Sequence, residues 1–265
     1  MRKSLCIMIL ILMVTFSFAG CDFLNTEVDN KKDSKDTGNK EVIKEEKSEV
    51  KSISAGAQHS VILREDGTVF ARGWNQNGQC DVPEGLGDVK AISAGISHTV
   101  ALIEDGTVLA WGDNKRGQCD IPESLKSVVA ISAGGYNTVA LKEDGKVVTW
   151  GNNNSGECDV PEGLNEVKTI SIKNAHAVAL KENGEVVAWG DNDYGECNVP
   201  ADLGKVKAIS AGYNYTVAIK ETGELVMWGS DILFFSDVPE GLNNVKAISA
   251  GFFHSLALKE DGTVV

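Results

Sequence analysis

The chain has 265 residues, 42% of them apolar, enough for one large packed domain or two small ones. Its formal charge is −13 and no stretch of the body is strongly basic, which argues against a nucleic-acid phosphate backbone as partner. Twenty-eight glycines against five prolines point to many tight turns between short strands.

Residues 1–20 read as an export signal. Arg2 and Lys3 form a positive head, and Leu5 to Phe18 is an apolar run too short to span a bilayer comfortably. It ends in Phe18-Ala19-Gly20-Cys21, which resembles a bacterial lipobox with Phe18 where leucine is usual. The expectation is lipidation of Cys21 and outward-facing anchorage to the cell membrane. Ordinary cleavage, leaving Cys21 as a spare thiol, is the alternative. Residues 21–49 are dense in Lys, Asp and Glu, nearly lack aromatics, and predict a disordered charged tether.

From residue 50 onward one unit recurs every 39 residues. Val89-Lys90-Ala91-Ile92-Ser93-Ala94-Gly95 has counterparts starting at Val50, Val128, Val206 and Val245. The copy at Val167 departs, ending in Lys173 rather than glycine. Trp-Gly recurs at Trp111, Trp150, Trp189 and Trp228, whereas the first unit has Arg72 there and Trp74 two residues on, able to fill the same space. The units are 50–88, 89–127, 128–166, 167–205, 206–244 and a partial 245–265.

Within a unit the first strand, a, has Val and Ile three apart, a weak strand pattern whose small residues suit a crowded axis. Strand b is Thr99-Val100-Ala101-Leu102 and its equivalents. Asp105-Gly106 then signals a two-residue hairpin into strand c, Thr107 to Gly112. An Asn/Asp-rich loop leads to Cys119-Asp120-Ile121-Pro122, a possible fourth, edge strand. No segment has helical periodicity. Units of three or four strands bury both faces only by standing beside each other, which predicts an all-β propeller, with a β-helix as the lesser alternative.

The pattern Ser-Ala-Gly-x-x-His-x-x-Ala-Leu-x-x-Asp-Gly-x-Val-x-x-Trp-Gly-x-Asn-x-x-Gly-Gln resembles the regulator-of-chromosome-condensation repeat in its short bacterial form, across residues 50–265. The resemblance implies a seven-bladed propeller, of which five full blades and a partial sixth would be a fragment. It also implies a range of functions: a similar secreted propeller inhibits β-lactamases, and other members are nucleotide exchange factors for a small GTPase. Function therefore has to be argued from a site.

His59, His98, His176 and His254 share one column, with Asn137 and Tyr215 in the other copies. A side chain tying a turn together explains them better than a metal ring. Cys80, Cys119, Cys158 and Cys197 share another and read as free structural thiols. Asp191 to Glu196 has the wrong spacing for a calcium loop and reads as turn chemistry. No cofactor, metal site or catalytic constellation is expected. What varies between units is the a–b turn and the c–d loop, which should emerge on one face. Aromatics gather there, making Tyr136, Tyr194, Tyr213, Tyr215, Phe234, Phe235, Phe252 and Phe253 the candidate binding residues. The leading expectation is a non-catalytic, surface-anchored protein-binding module. A cell-wall or polysaccharide adhesin is the alternative, and an enzyme with an unrecognised site is a distant third.

Overall fold

The computed structural model describes residues 48–230, 238–239 and 242–265; the export signal, Cys21 and nearly all of the tether lie outside them. Every regular element among the described residues is a strand. Strand a recurs as Val50–Ala55, Val89–Ala94, Val128–Ala133, Val167–Lys173, Val206–Ala211 and Val245–Ala250. Each pairs antiparallel with the strand b that follows it. Five blades add a strand c, as in His98–Ile103 followed by Val108–Gly112. Six small sheets thus stand side by side as an open β-propeller.

Strand a explains its own weak pattern. In every blade its register slips by one residue just after the first valine, as between Val89 and Ala91. This bulge inverts the alternation, so Val89, opposite Ile103, and Ile92, opposite Ala101, share a face although they are three apart. Strands a of neighbouring blades contact one another, which puts them nearest the axis. A serine in each then reaches across: Ser54, Ser93, Ser171 and Ser210 Oγ accept the backbone N–H of Ala94, Ala133, Ala211 and Ala250, each at 2.9 Å. Ser132 accepts that of Ile172 at 3.2 Å.

The core is divided among the blade junctions. Val100, Leu102 and Val108 of the second blade meet Val128, Ala133, Ala140 and Trp150 of the third, and the other junctions repeat this arrangement. Each tryptophan also donates from Nε1 to a backbone carbonyl in the preceding blade, Trp150 to Gln118 O at 3.0 Å. Trp74 does not take this role. It is 45% exposed, because the face of the first blade carrying position 72 has no blade against it among the described residues.

Two further expectations are corrected. The b–c connection has three residues rather than two, since Ile103 N–H bonds Thr107 O and Gly106 N–H bonds Ile103 O. Only the glycine, at φ +87°, is left-handed, so the connection is a type I turn with a glycine bulge. Residues 119–122 form no fourth strand. The loop closes on itself instead, with Asn114 Oδ1 accepting the Cys119 N–H at 2.9 Å and its Nδ2 donating to Asp120 at 2.7 Å.

Candidate functional site

The a–b turns and c–d loops share one end of the blades because the first residue of each c–d loop donates to the a–b turn. Asp113 N–H bonds Ser97 O and Asn152 N–H bonds Tyr136 O, both at 2.8 Å; Asp191 N–H bonds Ala175 O and Ser230 N–H bonds Asn214 O, both at 2.9 Å. The b–c hairpins lie at the opposite end. Neighbouring a–b turns are also linked, Ile96 N–H to Gly134 O at 3.1 Å and Gly135 N–H to Asn174 O at 2.8 Å. Variable side chains are therefore displayed on a tied framework.

Beneath this face lies the histidine column. His59, His98 and His176 are buried, and each Nε2 meets a threonine hydroxyl of the next blade at 3.0 to 3.1 Å. The rings tie blade to blade rather than closing a single turn. A glycine makes room for two of them, Gly56 for His59 and Gly95 for His98: a Cβ on Gly95 would come within 2.3 Å of the His98 ring. Burial pushes the imidazoles of His98 and His176 down to about 4.

The aromatic candidates divide. Tyr213 of the fifth blade and Phe252 and Phe253 of the sixth form one cluster, with ring centroids 5.1, 5.9 and 6.2 Å apart. Tyr136 and Tyr194 are exposed but stand outside this cluster. Tyr215 is a correction. It is only 5% exposed, and its hydroxyl donates to His254 O at 2.8 Å and lies 3.0 Å from Ser255 Oγ. It occupies the histidine column and performs the same cross-blade tie, so its ring is not available to a partner. Phe234 and Phe235 lie outside the described residues.

One residue of this face was not singled out from the sequence as a site. Lys173 replaces the column glycine in the fourth blade. The turn there is reshaped: the strand pairing extends to Lys173 opposite His176, and Asn174 takes φ +50°. Lys173 Nζ lies 5.6 Å from the Phe252 ring centroid, a cation–π contact across two blade junctions. Half-burial lowers its pKa, and among the described residues it has no ion-pair partner. It is the one charged residue within the a–b turns. Asn174 Nδ2 donates to Asn214 at 3.3 Å, bracing the same turn against the fifth blade. The available signal was this departure from the repeat.

The four repeat cysteines are free thiols, and each Sγ donates to a backbone carbonyl six residues earlier, as Cys197 does to Asp191 O at 3.1 Å. Burial pushes the Cys119 and Cys197 thiols up to about 11 and 12, which makes them poor nucleophiles. Among the described residues no three His, Cys, Asp or Glu side chains converge as metal ligands would.

The family model for the regulator of chromosome condensation (RCC1) repeat matches residues 50–79, 89–118, 128–157, 167–196, 206–231 and 245–265. The chain is similar in structure to human WBSCR16, with TM-score 0.68 and 17% identity over 82% of this chain and 76% of that one. It is similar to Saccharomyces cerevisiae Prp20p, described with its binding to Gsp1p and histones, with TM-score 0.66 and 20% identity over 80% and 70% of the two chains. Yeast RCC1 (Prp20) bound by Kap60 gives 0.69 and 21% over 81% and 69%. At these identities the likeness carries the fold alone. No curated protein matches the chain in sequence.

Proposed function

Because the chain belongs to the regulator of chromosome condensation (RCC1) repeat family, we propose that it is a non-catalytic binding module that grips a protein partner through its a–b/c–d face. The observation that carries this reading is the Tyr213–Phe252–Phe253 cluster with Lys173 beside it. Aromatic rings on braced turns offer contact area at low entropic cost, and a half-buried lysine without a counter-ion favours a carboxylate. The partner's contact region would thus present an apolar side chain flanked by Asp or Glu. Prp20p, described with the proteins Gsp1p, histones and Kap60, supports protein as the class of partner. The export signal, Cys21 and the tether support display outside the cell, held to the membrane by lipid.

Capture of cell-surface proteins by the immobilised full chain tests the reading. Wild type should retain a defined partner that Tyr213→Ala and Phe252→Ala lose and that Lys173→Glu binds at least tenfold more weakly. Equal capture by all variants overturns it. Capture that survives protease digestion of the target would instead indicate a polysaccharide.

A further inference from the structure

The c–d turns of the second and third blades are closed by a pair of side chains five residues apart; in the first, Trp74 takes the earlier position and the buried Gln79 Nε2 has no partner. In the second blade Gln118 Oε1 accepts the Arg116 N–H at 2.9 Å, while its Nε2 donates to Asp113 Oδ2 at 3.2 Å. In the third blade the partners are exchanged. Glu157 Oε2 accepts the Ser155 N–H at 2.7 Å, and Oε1 accepts from Asn152 Nδ2 at 2.6 Å. Both turns pair one amide with one carboxylate, so in each an N–H stands between the two oxygen-bearing groups.

The fourth blade breaks this rule by putting Asp191 and Glu196 in the same two positions. Glu196 Oε2 accepts the Tyr194 N–H at 2.9 Å, as in the sister turns. Its Oε1, the atom that should meet residue 191, is buried and has no hydrogen-bond partner, and the residue is 0% exposed. Two carboxylates so placed cannot both ionise without a large cost.

We propose that Asp191 and Glu196 share one proton, closing the fourth turn with an O–H···O bond where amide–carboxylate bonds close the second and third. The pair then carries one negative charge instead of two. A divalent cation fits less well. The sister pairs are already at direct hydrogen-bond distance, and calcium needs six to eight oxygens, whereas no third ligand converges there among the described residues.

The neighbouring charges favour the proton. Asp193, whose N–H donates to Asp191 Oδ1 at 3.2 Å, adds a second negative charge nearby. The Cys197 thiol, pushed up to about 12, stays neutral. Among the described residues, the fifth blade contributes Thr216 Oγ1 and Trp228 Nε1, both uncharged and both bonded to Glu196 O at 3.0 Å. Burial, then Asp191 and Asp193, holds the Glu196 carboxyl above its ordinary range. A group raised in the folded state stabilises below its unfolded pKa and loses that contribution as pH rises through the folded one. Alkalinisation therefore loosens the turn that carries the exposed Tyr194.

Thermal unfolding of the full chain as pH is raised above the unfolded carboxyl value of 4.5 tests this, with carboxyl 13C shifts followed by NMR. Relative to the variants Glu196→Gln and Asp191→Asn, wild type should lose stability as pH rises, with one carboxyl of the pair titrating above the normal range. Glu196→Gln recreates the second-blade pair and Asp191→Asn the third-blade pair. Each should flatten the slope and raise Tm by about 2–4 °C at the alkaline end. Ordinary low titration of both carboxyls overturns the proposal. So does stabilisation of wild type by millimolar calcium that both variants abolish.

Discussion

His98 Nε2 lies 3.1 Å from Thr138 Oγ1 across the boundary between the second and third blades, and the direction of this bond can be deduced. The threonine hydroxyl gives its own hydrogen to Gln118 O at 3.1 Å, so towards histidine it can only accept. The imidazole is then neutral with its proton on Nε2, and its buried Nδ1 is left unpaired. His59–Thr99 and His176–Thr216 repeat the contact. Thr138→Val removes the acceptor and strands a buried N–H. It should cost about 1–3 kcal/mol in urea unfolding, while Thr138→Ser should lose much less.

The same column sets an acid limit. His98 and His176 sit at about 4 when folded, against 6.5 when exposed. Their neutral forms are favoured by folding, so their contribution is complete above pH 6.5 and is lost as pH falls towards 4. Each accounts for at most about 3 kcal/mol over that window. Wild type should show a falling Tm from pH 7 to 4, and His98→Gln should show a shallower fall from a lower starting value. Parallel curves for the two proteins would refute the assignment.

Much of this architecture was legible because repetition amplifies weak signals. One Val-x-x-Ile segment is ambiguous, but six at a fixed interval are a strand with a bulge in a fixed place. The hairpins were legible in position but not in length, since Glu104 differs in role, not in type, from other turn residues. The histidines were legible as polar ties, yet their partners were not, because Thr138 is 40 residues away and only blade stacking brings it near. Tyr215 misled for a related reason: a ring in a variable segment looks like a contact residue until its column is recognised as an inward one. Lys173 and the Asp191–Glu196 pair were visible only as departures from the repeat, and their meaning depends on what the departing side chains face.

Tryptophan position separates core from surface. Trp150 is 6% exposed and donates to Gln118 O, whereas Trp74 is 45% exposed. Trp150→Ala should cost about 3–5 kcal/mol. Trp74→Ala should stay within about 0.5 kcal/mol, as expected for a surface change. Comparable losses at the two sites, read by denaturant titration, would mean that Trp74 packs against something in solution.

The junction between the third and fourth blades lacks the histidine tie on both sides at once. Asn137 stands for histidine, buried at 1% exposure with neither amide atom bonded, and Ala177 stands for threonine. The rest of the recipe is present. Gly134 is there to admit a ring, and Glu157 O, already accepting Trp189 Nε1 at 3.1 Å, is placed to receive a hydroxyl. Asn137→His alone buries an N–H with no acceptor, and Ala177→Thr alone gains only the bond to Glu157 O. Together they should restore the tie, giving a coupling of about 1–2 kcal/mol in a double-mutant cycle. Additive effects would mean that the reshaped Lys173–Asn174 turn holds these blades too far apart for the bond. The loose junction would then be a consequence of the turn that displays Lys173, not an independent defect.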